Sequence, residues 1–373
     1  MITCEPKRTV LMFAEDPGAA NFIVPIATAL CENNVDLKVF SAGKADQIFN
    51  QFHISHRIIR RNKDAQKLIQ ALNPNLIIVG TSENPDTIGL SLIKEARKNQ
   101  IKTIGLIDAP AYADYRFKGR DNNPLALAPD WLIAPDIYTK ELYVSLGFPE
   151  NRIKAFGHPY LEKMIAAGEA LLENGKNCLR RKFFNNKLED RQIIVFISEV
   201  SYGFRAKDFE KSPTDQLRGR GVSTGRTAIV LEEVLDALKS ISPKPYIVLR
   251  LAPKDQVGIF DLYKDELDEI SQGDHILPLL CVADLVVGLT SMPIYEAALL
   301  GKPTLSILPN PEQRHWLPSI QLGLTELAIS PTEIRKKILN GLKTQSTHRA
   351  QQEAILHHPK GATAQIISFI REL

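Results

Sequence analysis

Several side chains that could do chemistry in this sequence stand directly after a predicted strand. Asp16 follows the apolar run Thr9–Ala14, and Asp108 follows the run Thr103–Ile107. Ligands of α/β proteins bind at the carboxyl ends of parallel strands, and a carboxylate there can take a proton from a hydroxyl group as a general base. We therefore predict catalytic roles for Asp16 and Asp108. The alternative for Asp16 is that it only caps the following helix.

Basic and polar side chains close other segments. His158 ends the first half of the chain and could contact phosphate or act as an acid or base near neutral pH, with a purely structural histidine as the alternative. Arg250 and Lys254 flank the end of a strand in the second half, where cations would offset charge on a diphosphate leaving group without a metal. Ser198 and Glu199 end another strand. We predict that these last four residues bind substrate.

The stretch 283–307 packs a strand, a turn, a helix, a turn and a strand into 25 residues. Thr290 and Ser291 offer hydroxyls and free backbone N–H groups where the helix begins, followed by Met292. Phosphates bind at such helix N-termini. Glu296, about one turn into the helix, could accept hydrogen bonds from sugar hydroxyls. The alternative is an ordinary α/β crossover without a ligand.

The first turn of the chain, D-P-G-A-A-N at 16–21, also opens a helix after a buried strand. Gly18, Ala19 and Asn21 are small enough to let a substrate approach the backbone, whose N–H groups could bind an acceptor or a diphosphate. The turn lacks the G-x-G-x-x-G fingerprint, which disfavours a dinucleotide cofactor. A second loop, 112–117, is aromatic and basic. It could stack on a sugar or a lipid-linked acceptor, or pack against its own sheet.

Strands alternate with helices in both halves, which predicts an α/β fold with a doubly wound parallel sheet in each. We predict an N-terminal domain at 1–165, a C-terminal domain at 188–345 and a C-terminal helical segment at 346–373. The polar stretch 198–227 is long for a structureless loop and is predicted to be a mobile functional loop or locally disordered. A helix is predicted at Phe260–Glu269.

Composition narrows the function classes. The chain has 373 residues, 44% of them hydrophobic and 24% charged, which is typical of a soluble globular protein. No apolar run approaches the roughly 20 residues of a membrane span. We therefore expect a cytoplasmic protein, with peripheral association with the inner membrane as an open alternative. The net charge of +3 is too small to indicate nucleic-acid binding. The four cysteines lie far apart and predict neither a zinc site nor a disulfide framework.

With two such halves and the pattern S-x-x-x-x-E-A-x-x-x-G-K-P at 291–303, the sequence resembles the GT-B superfamily. That group contains nucleotide-sugar glycosyltransferases, UDP-N-acetylglucosamine 2-epimerases and polyglycerol-phosphate polymerases. The resemblance implies two Rossmann-like domains facing a cleft, with the acceptor on the N-terminal side and the nucleotide sugar on the C-terminal side. It also implies that Thr290, Ser291 and Met292 match the phosphate end of the donor site, and that Glu296 matches the ribose-binding acid.

Departures from the family pattern favour one of its members. The epimerase group has glycines after the serine and two adjacent acids, where this sequence has Met292, Pro293 and the single acid Glu296. Members with an R-x-H-P segment have a histidine where Ala252 stands. The polyglycerol-phosphate polymerases use histidines that have no counterpart we can place. The glycosyltransferases are therefore favoured, in part by elimination.

We expect a glycosyltransferase that moves a sugar from a nucleotide diphosphate sugar to an acceptor hydroxyl, in surface polysaccharide or glycoconjugate synthesis. The alternatives are a nucleotide-sugar 2-epimerase and a non-catalytic sugar-nucleotide-binding protein. No metal and no cofactor is expected, because the nucleotide sugar is the substrate. The acceptor is unknown, and a lipid-linked acceptor and a homodimer both stay open. No nucleic-acid partner and no transmembrane segment is expected.

Overall fold

A computed structural model describes residues 8–32, 35–184, 188, 191–199, 206–221, 223–253, 255–256, 258–273, 276–344 and 361–373. The chain divides into two compact units. The first takes in the described residues up to Glu162 and again from Gly361, and the second takes in those from Lys163 to Thr344. We refer to them as the first and second domains. The predicted limits at 165, 188 and 345 stay predictions.

The described part of the first domain contains a parallel sheet of seven strands in the order β3-β2-β1-β4-β5-β6-β7. Every pair of neighbouring strands in it is parallel. The strands are β1 Thr9–Ala14, β2 Asp36–Ser41, β3 Arg57–Ile58, β4 Leu76–Gly80, β5 Lys102–Leu106, β6 Trp131–Ala134 and β7 Ile153–Ala155. This is a doubly wound order. In such sheets ligands bind at the carboxyl ends of the strands, at the point beside β1 where the strand order reverses.

The described part of the second domain contains a six-stranded parallel sheet in the order β10-β9-β8-β11-β12-β13. Apart from the seventh strand, this order is the same as in the first domain when the strands are counted from β8. The strands are β8 Ile193–Ile197, β9 Tyr246–Arg250, β10 Glu269–Ser271, β11 Leu285–Gly288, β12 Thr304–Ile307 and β13 Glu326–Ala328. The predicted fold class, two doubly wound parallel-sheet domains, is confirmed.

Helices follow most strands in both domains, as the crossovers between parallel strands require. The helices are α1 Pro17–Glu32, α2 Ala45–Gln51, α3 Asp64–Leu72, α4 Ile88–Lys98, α5 Ile137–Ser145, α6 Pro159–Leu172, α7 Lys176–Phe183, α8 Arg226–Leu238, α9 Leu277–Val282, α10 Met292–Leu299, α11 Pro318–Gln321, α12 Pro331–Lys343 and α13 Ala362–Glu372. Four 3₁₀ segments lie at Glu150–Arg152, Ala206–Phe209, Asp261–Tyr263 and Pro311–Trp316.

The central strands are buried along their length, because helices cover both faces of each sheet. All five residues of β4 and all five of β8 are buried. The apolar runs of valine, isoleucine and leucine that predicted these strands are therefore the two cores. α1 packs closely over β4, because Gly80 has no Cβ: an added one would lie 2.6 Å from the Cβ of Ala19.

Two predicted elements differ in the structure. The helix predicted at Phe260–Glu269 is wrong: a single 3₁₀ turn at Asp261–Tyr263 is followed by strand β10. The last residue of the predicted helix, Glu269, belongs to β10 and lies opposite Val248 of β9. The C-terminal helix α13, which we predicted as a separate segment, packs in the first domain and contributes to the same core as α1.

The polar stretch after β8 is held in place over the part that the structure describes, 206–221 and 223–227. Helix α8 supplies the anchors: the Gly219 N–H donates to the carboxylate of Glu233 (2.9 Å), and the Arg220 N–H donates to that of Glu232 (2.6 Å). Glu232 also accepts a hydrogen bond from the Tyr263 hydroxyl (2.6 Å). Within these ranges the stretch is an ordered loop on the surface of α8.

Candidate functional site

An anion lies at the start of helix α10 in the second domain, and it belongs to the chain itself. The carboxylate of Glu199 accepts a hydrogen bond from the Thr290 N–H (2.7 Å), another from the Thr290 hydroxyl (2.6 Å) and a third from the Ser291 hydroxyl (3.2 Å). β8 and β11 are neighbouring parallel strands, so the residues that follow them meet at one sheet edge. The helix start predicted to bind phosphate therefore holds a carboxylate.

Arg226 supplies the positive charge beside this anion. Its guanidinium donates to Glu199 Oε1 (2.7 Å) and to the side-chain oxygen of Gln313. It lies 4.9 Å from the ring centroid of Phe209 and 5.5 Å from that of Trp316, and the residue is 2% exposed. Sequence analysis missed Arg226. The sequence signal for it is its position as the first residue of α8. A cation there lies at the positive end of the helix dipole, which is unfavourable without an anion to pair with it.

A buried serine and aspartate lie next to Glu199. Ser198 is fully buried, and its hydroxyl donates to the carboxylate of Asp255. The N–H of Ala252 donates to Ser198 Oγ (2.8 Å) and to Asp255 Oδ2 (3.0 Å). Burial raises the pKa of the Asp255 carboxyl, and the hydrogen bonds that it accepts from the Ser198 hydroxyl and the Ala252 N–H act in the opposite direction. Ser198 therefore ties the end of β8 to the segment after β9.

Glu296 lies one turn into α10 and is 7% exposed. No hydrogen-bond partner for its carboxyl is found among the residues that the structure describes. Burial raises its pKa to about 7, because the charged form loses its hydration there. Met292 is the first residue of α10, and Pro293 follows it at a position where a missing N–H costs nothing. Their predicted binding roles stay predictions.

The predicted cations of the second domain are placed differently. Arg250 ends β9, and its guanidinium donates to the hydroxyl of Ser271 (3.0 Å) and to the carbonyl oxygen of Gly273 (3.3 Å). It therefore holds the segment after β10 beside β9. Lys254 lies outside the described residues. Arg226 is the cation paired with Glu199 at the start of α10, and the predicted binding roles of Arg250 and Lys254 stay predictions.

In the first domain, Asp108 lies against the start of helix α1. Its Oδ1 accepts hydrogen bonds from the guanidinium of Arg116 (2.7 Å) and the hydroxyl of Thr81 (3.0 Å). A Cβ added to Gly18 would lie 2.0 Å from Asp108 Oδ2, so only glycine leaves room for this carboxylate. Burial acts to lower the pKa of Arg116, but neighbouring groups, Asp108 foremost, raise it above the ordinary value.

The other predicted residues of the first domain lie near this pair or apart from it. The carbonyl of Asp16 accepts the first hydrogen bond of α1, from Ala20 N–H (3.0 Å). Ala19 is buried against β4, and Asn21 is partly exposed. His158 is 3% exposed and packs on Phe22, with ring centroids 4.4 Å apart. Packing of this kind suits a structural histidine, and the predicted catalytic role stays a prediction.

The aromatic loop after β5 packs inward. Tyr112, Arg116 and Phe117 are 5%, 5% and 1% exposed, so they do not form an open stacking surface. The prediction of a platform for an acceptor is therefore wrong for these three side chains. Each covers the sheet or pairs with its groups, as Arg116 does with Asp108. This is the alternative that we noted for the loop, a segment packed against its own sheet.

A search of the described residues for three or more His, Cys, Asp or Glu side chains that could hold a metal ion finds no such group. Over the same residues, no helix is long and apolar enough to cross a membrane.

Comparison with solved structures shows that others share this two-domain fold. The UDP-GlcNAc 2-epimerase of Neisseria meningitidis, solved bound to UDP-GlcNAc, matches with a TM-score of 0.70 and 15% identity over 98% of this chain and 100% of its own. The corresponding epimerase of Methanocaldococcus jannaschii matches with a TM-score of 0.68, at the same identity and coverage. HepE of Anabaena, solved with UDP, matches with a TM-score of 0.64 and 14% identity, covering 98% of this chain and 100% of its own.

No protein-family model matches the sequence, and no curated protein does. At 15% identity the structural likeness shows the fold. Two of these solved structures are UDP-GlcNAc 2-epimerases, the class of enzyme that we named as an alternative to a glycosyltransferase.

Proposed function

We propose that this chain is an enzyme that binds a UDP-sugar through its second domain and inverts the sugar at carbon 2. One observation carries the proposal. Hydrogen-bond donors from Thr290, Ser291 and Arg226 converge on a single anion at the start of α10, in a chain whose fold matches an epimerase solved with UDP-GlcNAc over 98% of its length. Converging amides, hydroxyls and a guanidinium are the chemistry that recognises phosphate.

The buried carboxyl of Glu296 supports binding of the rest of the nucleotide. It lies one turn from the anion on the same helix and has no hydrogen-bond partner among the described residues. A ribose would offer it two hydroxyl donors, and a buried acceptor gains most from a donor because it has already lost its water. Uridine as the base is supported by the UDP and UDP-GlcNAc named for the similar structures.

Inversion at carbon 2 requires one group to remove a proton and another to return a proton to the opposite face. In the first domain, Asp16, Asp108 and His158 are the candidates. Asp108 is favoured among the three, because Arg116 and Thr81 donate to its carboxylate and the missing Cβ of Gly18 leaves room for it. A fixed carboxylate can bind a sugar hydroxyl or serve as the base.

A glycosyltransferase is the second candidate, favoured by Met292 and Pro293 after Ser291 and by the single acid Glu296. In that case Asp16 or His158 would take the proton of an acceptor hydroxyl. Surface polysaccharide or glycoconjugate synthesis would be its setting. The same anion site would then hold the donor diphosphate, so binding of UDP alone does not separate the two candidates.

NMR of the protein incubated in D₂O with UDP-GlcNAc alone separates them. The epimerase is expected to form the manno epimer and to place deuterium at carbon 2. A transferase leaves UDP-GlcNAc unchanged until an acceptor is added, and a non-catalytic binding protein leaves it unchanged in every mixture. Calorimetry with UDP runs beside it, and absence of UDP binding would contradict the epimerase.

Variants of the first domain locate the chemistry. Asp108→Asn and Asp16→Asn are compared with Asp64→Asn, which removes the same charge from the start of α3 in the same domain. We expect Asp108→Asn to lower the rate of deuterium incorporation at least a hundredfold while UDP binding stays unchanged, and Asp64→Asn to leave both unchanged. Full activity of both Asp108→Asn and Asp16→Asn would remove these carboxylates from the mechanism.

A further inference from the structure

We propose that Glu199 occupies, in the ligand-free protein, the position that a ligand phosphate takes, and that Arg226 pairs with this phosphate once Glu199 has left. The inference rests on the proposed function in one respect, that the ligand carries a phosphate. Glu199 makes every contact that a bound phosphate oxygen would make there: the Thr290 N–H, the Thr290 hydroxyl, the Ser291 hydroxyl and a guanidinium.

The carboxylate and a diphosphate cannot share this position. Both are anions, and the same donors at the start of α10 would have to serve both. One Glu199 oxygen lies 2.7 Å from the Thr290 nitrogen, and the other lies 2.6 Å from the Thr290 hydroxyl oxygen. A phosphate oxygen bound to the same N–H would have to take the position of a Glu199 oxygen. Like charges at such separations strongly disfavour one another. Binding of the phosphate and departure of Glu199 are therefore one exchange.

Arg226 cannot follow Glu199 out of the site. It is 2% exposed, lies against the rings of Phe209 and Trp316, and is hydrogen-bonded to Gln313. Glu199 is the carboxylate with which it pairs in the described part of the chain. A buried cation without an anion is strongly unfavourable, so Arg226 requires a replacement when Glu199 leaves. A phosphate oxygen suits a guanidinium, which is planar and always charged.

Buried acceptors without partners indicate that the site extends beyond the anion. Oδ1 of Asp255, a residue 5% exposed, has no hydrogen-bond partner among the described residues, and the acidic side chain of Glu296 is 7% exposed. Buried polar atoms in native proteins are almost always paired. These two side chains are acceptors, which suits a ligand that brings hydroxyl donors next to its phosphate. Glu199 replaces only the anionic part of such a ligand.

Calorimetric titration with inorganic pyrophosphate and with UDP tests the exchange on four proteins. These are the wild type, Glu199→Gln, the double variant Glu199→Gln/Arg226→Met and the control Glu326→Gln. Glu326 is the first residue of β13, the outer strand of the same sheet, whereas the site follows the central strands β8 and β11. Glu326→Gln therefore removes the same charge at a position away from the site. We expect Glu199→Gln to bind pyrophosphate at least tenfold more tightly than the wild type, and Glu326→Gln to bind it as the wild type does.

The double variant assigns the role of Arg226. It removes both charges, so no unpaired ion stays buried, and its affinity for pyrophosphate should fall at least tenfold below that of Glu199→Gln. Equal affinity in the two variants would overturn the assignment of Arg226. Equal affinity in the wild type and Glu199→Gln, or a weaker one in Glu199→Gln, would overturn the exchange itself.

The outcomes also separate this inference from the proposed function. If Glu199→Gln gains affinity for pyrophosphate but UDP binds no better than pyrophosphate, the exchange stands and the uridine site does not. If the wild type binds UDP tightly and Glu199→Gln binds it less tightly, the function stands and the exchange is overturned. A crystal structure of the wild type with UDP covers the case in which Glu199→Gln does not fold. A phosphate oxygen on the Thr290 N–H in place of Glu199 supports the exchange, and Glu199 retained there overturns it.

Discussion

The two domains share a strand order, and each places an arginine–carboxylate pair at the carboxyl edge of its sheet beside the start of a helix. In the first domain Asp108 pairs with Arg116, and in the second Glu199 pairs with Arg226. Both arginines are buried, at 5% and 2% exposure. The difference lies in what holds each carboxylate at the helix.

Asp108 is held by shape, and Glu199 is held by hydrogen bonds. Asp108 fits against the bare Cα of Gly18 and accepts its bonds from side chains, those of Arg116 and Thr81. Glu199 accepts from a backbone N–H and from two hydroxyls at the start of α10, the groups that also bind phosphate. The first arrangement suits a carboxylate that stays in place. The second suits an anion that can be exchanged.

The pair in the first domain should be costly to break. Arg116→Met leaves the Asp108 carboxylate, whose side chain is 14% exposed, without its cation, and removal of one partner of a buried pair costs up to about 3–5 kcal/mol of the free energy of unfolding. Urea denaturation measures this loss. The control Arg120→Met, which breaks the exposed pair of Arg120 with Asp86, should leave the midpoint unchanged.

The double variant Asp108→Asn/Arg116→Met should recover most of the loss, because it buries no unpaired charge. A loss from Arg116→Met no larger than that from Arg120→Met would show that the first pair is not a fixed structural element. The first domain would then not hold the fixed carboxylate that distinguishes it from the second domain.

Glu296 adds a pH dependence to the second domain. Its pKa is raised from 4.5 in the unfolded chain to about 7 in the folded protein, because burial disfavours the charged form. The folded state therefore holds a proton that the unfolded state has lost between these two pH values, and stability falls as the pH rises through them. The loss is about 3 kcal/mol over this window.

Urea denaturation of the wild type and Glu296→Gln at pH 4.5, 6 and 8 measures this effect. The glutamine carries no titrating proton, so the stability of the wild type relative to Glu296→Gln should fall between pH 4.5 and 8. Parallel pH profiles for the two proteins would mean that Glu296 is paired in solution and is not an acceptor held ready for a ligand.

Gly18 tests the fit that holds Asp108. Gly18→Ala would place a methyl carbon 2.0 Å from Asp108 Oδ2, so either α1 or the ion pair must move, and overpacking of this kind costs about 1–3 kcal/mol. Gly225→Ala is the matched control, because no atom lies within 4 Å of the Cβ position there and the φ angle is −75°. A Gly18→Ala protein as stable as the control would show that the carboxylate is not held by shape.

Much of this fold could be predicted from sequence, because its strands are buried on both faces. Such strands are continuous apolar runs, and the run Thr9–Ala14 noted in the sequence has the same bounds as β1. Short edge elements could not be predicted in the same way. β3 has two residues, both exposed, and its pairing with β2 leaves no apolar pattern. We predicted a helix around the turn at Asp261–Tyr263 because the apolar residues of this segment have helical spacing.

The helix start at the candidate site could be predicted from the sequence, but the side chain that occupies it, that of Glu199, could not. A strand followed by Thr290 and Ser291 and then by an apolar helix is a local pattern. The contact of Glu199 with Thr290 joins residues 91 positions apart, and it depends on β8 and β11 being neighbours in the sheet. Arg226 depends on a similar distant contact with Gln313, 87 positions away. Sequence order alone does not reveal either contact.

The smallest effect is expected from the hydroxyl that helps hold Glu199. Thr290→Val removes the 2.6 Å hydrogen bond from Thr290 Oγ1 and keeps both the N–H and the shape of the side chain. A hydrogen bond to a charged group contributes about 1.5 kcal/mol or somewhat more, and urea denaturation should show this loss. Thr344→Val, which removes an exposed hydroxyl bond to the Asn340 carbonyl, should show almost none. Because a bound phosphate would use the same hydroxyl, Thr290→Val should also weaken pyrophosphate binding in the Glu199→Gln background. Loss of stability without loss of that binding would mean that Glu199 and the ligand use different donors, and that the anion of the second domain is as fixed as that of the first.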